Sequence, residues 1–152
     1  MNTKEIKSIT DRLAHKYSTR NPFELAEYLN IRIFFVPLGD IAGFYTYIKK
    51  HKCIFINSSI EDKEFQKFVM AHELGHAIMH SHENICYIEN FTKLKSYRAE
   101  IEANQFAAQL LIPDESVYKY LGDTSITLSQ LSRLLGYSEK IIMLRFQNCG
   151  LV

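Results

Sequence analysis

The sequence has few of the features that mark secreted or membrane-bound proteins. It contains only three cysteines among 152 residues, Cys53, Cys86 and Cys149, and no tryptophan. The cysteines are widely spaced and form no CxxC pair, which argues against a disulfide framework and against a thiolate zinc site. No apolar run approaches the roughly 20 residues that span a bilayer, and the polar residues 1–5 do not resemble a signal peptide. We therefore expect a cytoplasmic protein without membrane contact.

The sequence also lacks an excess of charge of either sign. It has 18 basic and 17 acidic residues, a net charge of +1. A domain that binds nucleic acid through its surface usually carries a clear basic excess, so the balance argues against direct nucleic-acid binding. A hydrophobic content of 47% and this length fit one globular domain with a sizeable core.

The first third of the chain combines helical and strand-like segments. Helices are predicted at residues 4–17 and after Asn21-Pro22, where asparagine caps a helix and proline takes its first position. Three runs rich in β-branched and aromatic residues follow, and the polar link 49–52 suggests a hairpin between the last two. The runs are residues 31–36, 42–48 and 53–57. This pattern predicts a small antiparallel sheet of about three strands.

Helical periodicity dominates the rest of the chain. Ser58 followed by Glu61 has the form of a capping box, and a helical pattern runs from there to Met79. A second helix is predicted from about Tyr97 to Ile112, where Pro113 stops it. Two short helices follow residue 121, with Gly136 at their turn and Ser138 as a cap.

The segment His72-Glu73-Leu74-Gly75-His76 carries the clearest chemical signal. Histidines four residues apart project from one face of a helix, so both imidazoles can reach one zinc ion. Glu73 is rotated off that line and is placed to take a proton from a water molecule as the catalytic base. The alternative is a pair of core histidines that only make hydrogen bonds.

A catalytic zinc site has three protein ligands and one open position, and Glu100 is the candidate for the third ligand. On a helical wheel it shares an apolar arc with Asn104, whereas Glu102 falls on the opposite, polar stripe and is expected to be solvated. A buried carboxylate is costly unless it is paired or binds metal. Asn104 is placed to hydrogen-bond a ligating histidine or Glu100. The alternative is that Glu100 pairs with Arg98 or a lysine.

Residues 68–80 and 100–113 together resemble the ImmA/IrrE family of metallopeptidases, and the resemblance extends from about Pro22 into the C-terminal helices. It implies a thermolysin-like site with one Zn²⁺, in which the first glutamate of a Glu-x-x-Ala-Asp motif is a ligand. Here Glu100 begins that motif, and Asn104 stands in place of the aspartate. Members of the family cleave helix-turn-helix repressors or antitoxins that are often encoded beside them in mobile elements.

The expected fold is therefore α+β. A zincin-like core at residues 1–121 carries the small sheet, and a helix-turn-helix-like pair at residues 122–152 packs on it. Zinc would activate the attacking water, Glu73 would move its proton, and a strand at the edge of the sheet would hold the substrate extended. His80 is interpreted as a neighbour of the site rather than a ligand. The candidates for stabilising the oxyanion are Tyr87, Tyr97, His80 and His82.

Three functions remain open at this point. The first is a zinc endopeptidase that cuts a protein partner, with a helix-turn-helix repressor implied by the resemblance. The second is a non-catalytic zinc-binding regulator that binds such a partner without cleaving it; Glu73 favours the enzyme because a structural site needs no base. The third is a DNA-binding regulator that uses Lys140 and Arg145 of the C-terminal helices, which the balanced charge disfavours.

Overall fold

Two capped helices lead into the sheet. The computed structural model describes residues 1–81, 97–147 and 149. Helix α1 (Thr3–Tyr17) begins with a capping box in which Asn2 and Glu5 exchange side-chain and backbone hydrogen bonds. Helix α2 (Pro22–Tyr28) begins at Asn21, whose side chain accepts from the backbone N–H of Phe23. Both helices were predicted, α2 from its Asn21 cap and α1 from its helical pattern alone, and both are confirmed.

Among the described residues the sheet has three strands, β1 (Arg32–Val36), β2 (Gly43–Ile48) and β3 (His51–Asn57), in the order β1-β3-β2. The predicted hairpin is confirmed: β2 and β3 are antiparallel, and Lys49 and Lys50 turn with φ of 47° and 67°. The prediction of an antiparallel sheet is wrong for β1, which pairs with β3 in parallel. Strand β3 is the most buried of the three and lies at the centre of the sheet. Strand β1 therefore lies beside β3 and not beside β2. The α+β class is confirmed.

Helices α3 (Lys63–Met79) and α4 (Tyr97–Leu111) lie against each other, and α3 also packs on β2 and β3. Helix α3 begins at Asp62, whose carboxylate accepts from the backbone of residues 64 and 65. The predicted capping box at Ser58 is therefore wrong. The N–H of Ser58 still donates to Val36 in the sheet, and the side chain of Asn57 turns the chain before the helix starts.

Two glycines allow the close packing that places α3. A Cβ on Gly75 would lie 3.1 Å from the ring of Phe106, closer than an ordinary contact, so α3 and α4 approach tightly at this point. A Cβ on Gly43 would meet both the carbonyl oxygen of Phe55 and the side chain of Val69 at 2.8 Å. Strand β2 therefore lies directly against α3 one turn before His72.

Three helices complete the described fold: α5 (Asp114–Tyr120), α6 (Leu128–Leu135) and α7 (Glu139–Gln147). Helix α5 was not predicted from the sequence. The turn between α6 and α7 is as predicted, with Gly136 in the left-handed conformation at φ 80°. Helix α7 packs on α4 through an apolar cluster that includes Ile112, Ile141 and Ile142. No helix among the described residues is long and apolar enough to cross a membrane.

Arg145 fastens α7 to the end of α4. Its side chain is 1% exposed, its Nε donates to the carbonyl oxygen of Ile112 at 2.7 Å, and its guanidinium forms an ion pair with Asp114. Asp114 also accepts an ion pair from Lys7 of α1 at 2.8 Å. Arg145 is therefore buried in intramolecular contacts. It is not available to contact DNA, as the hypothesis of a DNA-binding regulator required.

Candidate metal centre

Three side chains from two helices converge at one point. The Nε2 atoms of His72 and His76 on α3 are 3.1 Å apart. Glu100 of α4 places one carboxylate oxygen 3.3 Å from Nε2 of His72 and the other 3.2 Å from Nε2 of His76. The four-residue spacing places both histidines on one face of α3, and the close contact of α3 with α4 brings Glu100 to them. The sequence predicted this arrangement.

The chemistry of this cluster fits a divalent metal ion. Two imidazole nitrogens and a carboxylate are the donor set of many catalytic zinc sites, and the ligand atoms lie within 4.8 Å of one another. His76 is fully buried, and within the described part of the chain its Nδ1 has no hydrogen-bond partner. Imidazole nitrogens that face each other at 3.1 Å need a shared proton or a shared cation, and a bound cation satisfies both together with the carboxylate.

Asn104 sets the orientation of His72. Its Oδ1 lies 2.9 Å from Nδ1 of His72, one helical turn beyond Glu100. An amide oxygen in this assigned orientation accepts only from a protonated Nδ1, and this leaves the Nε2 lone pair of His72 directed at the cluster. Asn104 thus makes the contact with His72 that the sequence suggested, and this contact favours the tautomer whose Nε2 is free to bind a metal.

Glu73 lies on the same helix between the two histidines in sequence. Its side chain is buried, and its Oε2 has no hydrogen-bond partner among the residues that the structure describes. A buried carboxylate oxygen without a partner is costly, so its retention here needs a reason other than stability. A general base that must receive a proton from water is such a reason.

Glu102 is the clearest error of the helical wheel. It was expected to be solvated, but it is 5% exposed. It contacts the N-terminal ammonium of Met1, accepts from Nε of Arg98 at 3.0 Å, and lies 3.3 Å from Nε2 of His80. Burial raises the pKa of Glu102, but the hydrogen bonds from the ammonium and from Arg98 outweigh it, so its pKa stays below its usual value. The start of α1 and the end of α3 cover this side of α4.

The same contacts bear on the alternatives for Glu100 and His80. Arg98 pairs with Glu102, one turn away, rather than with Glu100. The imidazole of His80 approaches Glu102, and its ring centre is 5.7 Å from that of His76. His80 therefore borders the centre and does not belong to the group of ligand atoms found among the described residues.

The oxyanion candidates divide into two groups. Tyr97 lies in the first turn of α4, three residues before Glu100, and is exposed. His80 borders the centre as described. Tyr87 and His82 lie outside the described residues, as does Cys86.

Lys52 supports the site in a way that sequence reasoning missed. Its Nζ donates at 2.7 Å to the carbonyl oxygen of Ala77, the residue after His76. Burial lowers the pKa of Lys52. The contact ties β3 to the last turn of α3, where the helix carbonyls lack intrahelical partners. The available signal was the position of Lys52 on the same strand face as the buried Ile54 and Ile56.

Comparison with known proteins identifies the family. The profile of the peptidase M78 family, the IrrE N-terminal-like domain, matches residues 26–147. The chain is 40% identical over 143 residues to the uncharacterized immunity region protein 2 of Bacillus phage phi105, covering 92% of this chain and 88% of the relative. It is 29% identical over 119 residues to the metallopeptidase ImmA of Bacillus subtilis (strain 168), covering 78% of this chain and 70% of that protein.

The family match spans most of the chain and includes both helices of the centre, α3 and α4. The resemblance inferred from residues 68–80 and 100–113 is thereby confirmed. The protein belongs to the IrrE N-terminal-like family of metallopeptidases.

Proposed function

We propose that the protein is a zinc-dependent endopeptidase that hydrolyses a peptide bond in a protein partner, a helix-turn-helix repressor or antitoxin. The observation that carries the proposal is the convergence of His72, His76 and Glu100 beside the buried Glu73. A purely structural metal site has no use for a buried carboxylate with an oxygen left unpaired among the described residues, whereas hydrolysis requires a base. We place this reaction in the cytoplasm, where a repressor would be found.

The metal would be held by His72, His76 and Glu100. Zinc in such a site supplies Lewis-acid activation of a water molecule and of the scissile carbonyl group. Glu73 accepts a proton from the attacking water on its carboxylate and later delivers that proton to the leaving amine. Asn104 holds His72 in the Nδ1-protonated form throughout, because its amide oxygen can only accept.

Strand β2 is the candidate for positioning the substrate. It pairs with β3 along one edge, and it lies against α3 where Gly43 meets Val69, one turn before His72. Its other edge makes no ladder among the described strands. A substrate segment could add to that edge in extended form, with main-chain hydrogen bonds fixing the register of the scissile bond.

The choice of a repressor as substrate rests on the family and on the immunity-region name of the phage phi105 relative. We also retain a division into a metallopeptidase core at residues 1–121 and a C-terminal helical pair at 122–152, packed together as one compact domain.

The test is co-expression of the chain with the repressor encoded next to it. The wild type with zinc should cleave the repressor, a chelator should stop cleavage, and Glu73→Gln should retain zinc while cleavage falls by about 10²–10⁴-fold. His72→Ala and His76→Ala should lose the metal. Binding of the repressor without cleavage would instead identify a non-catalytic zinc-binding regulator, and normal cleavage by Glu73→Gln would rule out the mechanism.

A further inference from the structure

A large groove opens beside the metal centre. Its volume is about 1130 Å³, and its lining includes both Glu100 and Asn104 of α4. The first turns of α3 form one side of the groove, and the turn and second helix of the α6–α7 pair form the other. A polypeptide that lies in this groove therefore has part of its length at the cluster of ligand atoms.

The groove collects exposed apolar side chains from three helices. Phe65 of α3 is 47% exposed, Ile101 of α4 is 38% exposed, and Met143 of α7 is 46% exposed, and all three belong to its lining. Tyr97 adds a further exposed ring. Single exposed apolar residues are ordinary, but several that converge on one concave surface mark a binding site.

The far side of the groove is held in place by buried contacts. Tyr137, beside the Gly136 turn, is buried, and this burial raises the pKa of its phenol, with the neighbouring charge of Glu64 and a hydrogen bond to Glu64 as further causes. A Cβ on Gly136 would lie 3.0 Å from Cγ of Glu64. The start of α3 and the α6–α7 turn are therefore in close contact, and the groove is preformed rather than assembled by the ligand.

The charges of the lining indicate the chemistry of the occupant. Apart from Glu100, three carboxylates, those of Asp62, Glu64 and Glu139, lie along the groove, against two cations, Arg133 and Lys140. Three carboxylates against two cations leave one net negative charge, so the groove favours a segment whose large apolar side chains are accompanied by one lysine or arginine.

We propose that this groove, named here the α3–α7 groove, is a docking site for the substrate protein away from the scissile bond. The occupant is a segment of the substrate that inserts large apolar side chains between Phe65 and Met143, with a basic residue beside them. This inference rests on the proposed function, because the continuity of the groove with Glu100 is what assigns the occupant to the substrate. The C-terminal helical pair thus selects the partner that the metal centre cuts.

The test uses binding, which does not require cleavage. Full-length Glu73→Gln protein loaded with zinc is used to select from a random 12-residue peptide library displayed on phage, and a synthetic peptide of the enriched sequence is then titrated. The enriched peptides should contain two large apolar residues and a lysine or arginine. Met143→Glu should weaken binding of that peptide by about tenfold or more. Phe65→Gln should weaken it in the same direction.

Leu134→Glu is the matched control. Leu134 is 58% exposed on α6, in the same helical pair, but it does not line the groove. Its substitution should change affinity by less than about twofold, as expected for a surface position without contacts to the ligand.

Three outcomes would overturn the inference. They are a selection that enriches no peptide, equal binding by the Met143→Glu and Leu134→Glu proteins, and a dimeric wild type that Met143→Glu converts to a monomer, which would make the groove an interface between two copies. Failure of the proposed function would give a different result: the wild-type protein with zinc would cut no repressor, while peptide binding would remain measurable. In the cleavage assay there is a fourth such outcome: if Met143→Glu cleaved the repressor as fast as the wild type does, the groove would be rejected and the enzyme kept.

Discussion

Substitution of Asn104 tests the geometry of the metal centre most directly. Its Oδ1 accepts from Nδ1 of His72 at 2.9 Å, and His72 is only 12% exposed, so water cannot easily replace the lost acceptor. Asn104→Leu keeps a side chain of similar size but leaves the imidazole free to rotate or to carry its proton on Nε2. Removal of such a partner typically costs about 10–100-fold in metal affinity, or roughly 1.4–2.7 kcal/mol.

Asn104→Asp should preserve or strengthen zinc binding. The carboxylate accepts the same hydrogen bond and adds a negative charge beside His72, which makes the ligating nitrogen more basic. It also restores the Glu-x-x-Ala-Asp pattern of related zinc peptidases. We expect zinc affinity equal to or tighter than that of the wild type.

The assay is competition for zinc against a chromophoric chelator, with circular dichroism to verify folding. Gln105→Ala is the matched control because Gln105 is the next residue on α4 and belongs to neither the ligand cluster nor the contact with His72. If Asn104→Leu bound zinc within about twofold of the wild type, a shift too small for a lost tautomer-fixing contact, the inferred role of Asn104 would be refuted. An equal loss with Gln105→Ala would refute it as well.

Three further predictions concern other contacts. Glu100→Ala should abolish tight zinc binding, which zinc titration measures. Glu102→Gln should keep zinc but lose about 1–2 kcal/mol of unfolding free energy in urea, since it weakens buried charge-assisted hydrogen bonds. Gly75→Ala should cost about 1–3 kcal/mol in thermal or urea unfolding, because its methyl group would press on Phe106, which is fully buried and has no space to move aside. Asp114→Asn should reduce stability at neutral pH and flatten the loss of stability in acid.

The sign of the acid effect follows from the pKa of Asp114. Burial raises that pKa, but hydrogen bonds from Lys7 and Arg145 outweigh burial and bring it below the usual 3.8. The ionised group therefore contributes stability that is fully present above the unfolded-state pKa and is lost as the pH falls through the folded-state pKa. Urea unfolding between pH 5 and about pH 2 measures the slope, and Asp40→Asn, at an exposed position, is the control.

Each of these results has a contrary outcome that would count against the structure. Retention of tight zinc binding by Glu100→Ala, or its loss in Glu102→Gln, would reverse the choice of ligand. Unchanged stability of Gly75→Ala would mean that α3 and α4 are further apart than described. An acid slope for Asp114→Asn equal to that of the wild type would mean that its two ion pairs do not stabilise the native state.

The sequence determined the features that depend on neighbours along the chain. Helix caps at Asn2 and Asn21, the β2–β3 hairpin and the turn at Gly136 are local chemistry, although the capping box at Asn2 was noticed only in the structure. The spacing of His72 and His76 fixed their common helix face for the same reason, because four residues span one turn. The family resemblance could also be read from two short motifs.

Tertiary packing decided the features that depend on what covers each element. The wheel placed Glu102 in solvent because it contains only the residues of α4, whereas α1 and the end of α3 bury that carboxylate. Strand periodicity likewise does not specify a partner, so the parallel pairing of β1 came only from the fold. The α3–α7 groove is the space left between α3, α4 and the α6–α7 pair, which are distant in sequence. Burial and concave surfaces arise from contacts between distant segments, which no local pattern encodes.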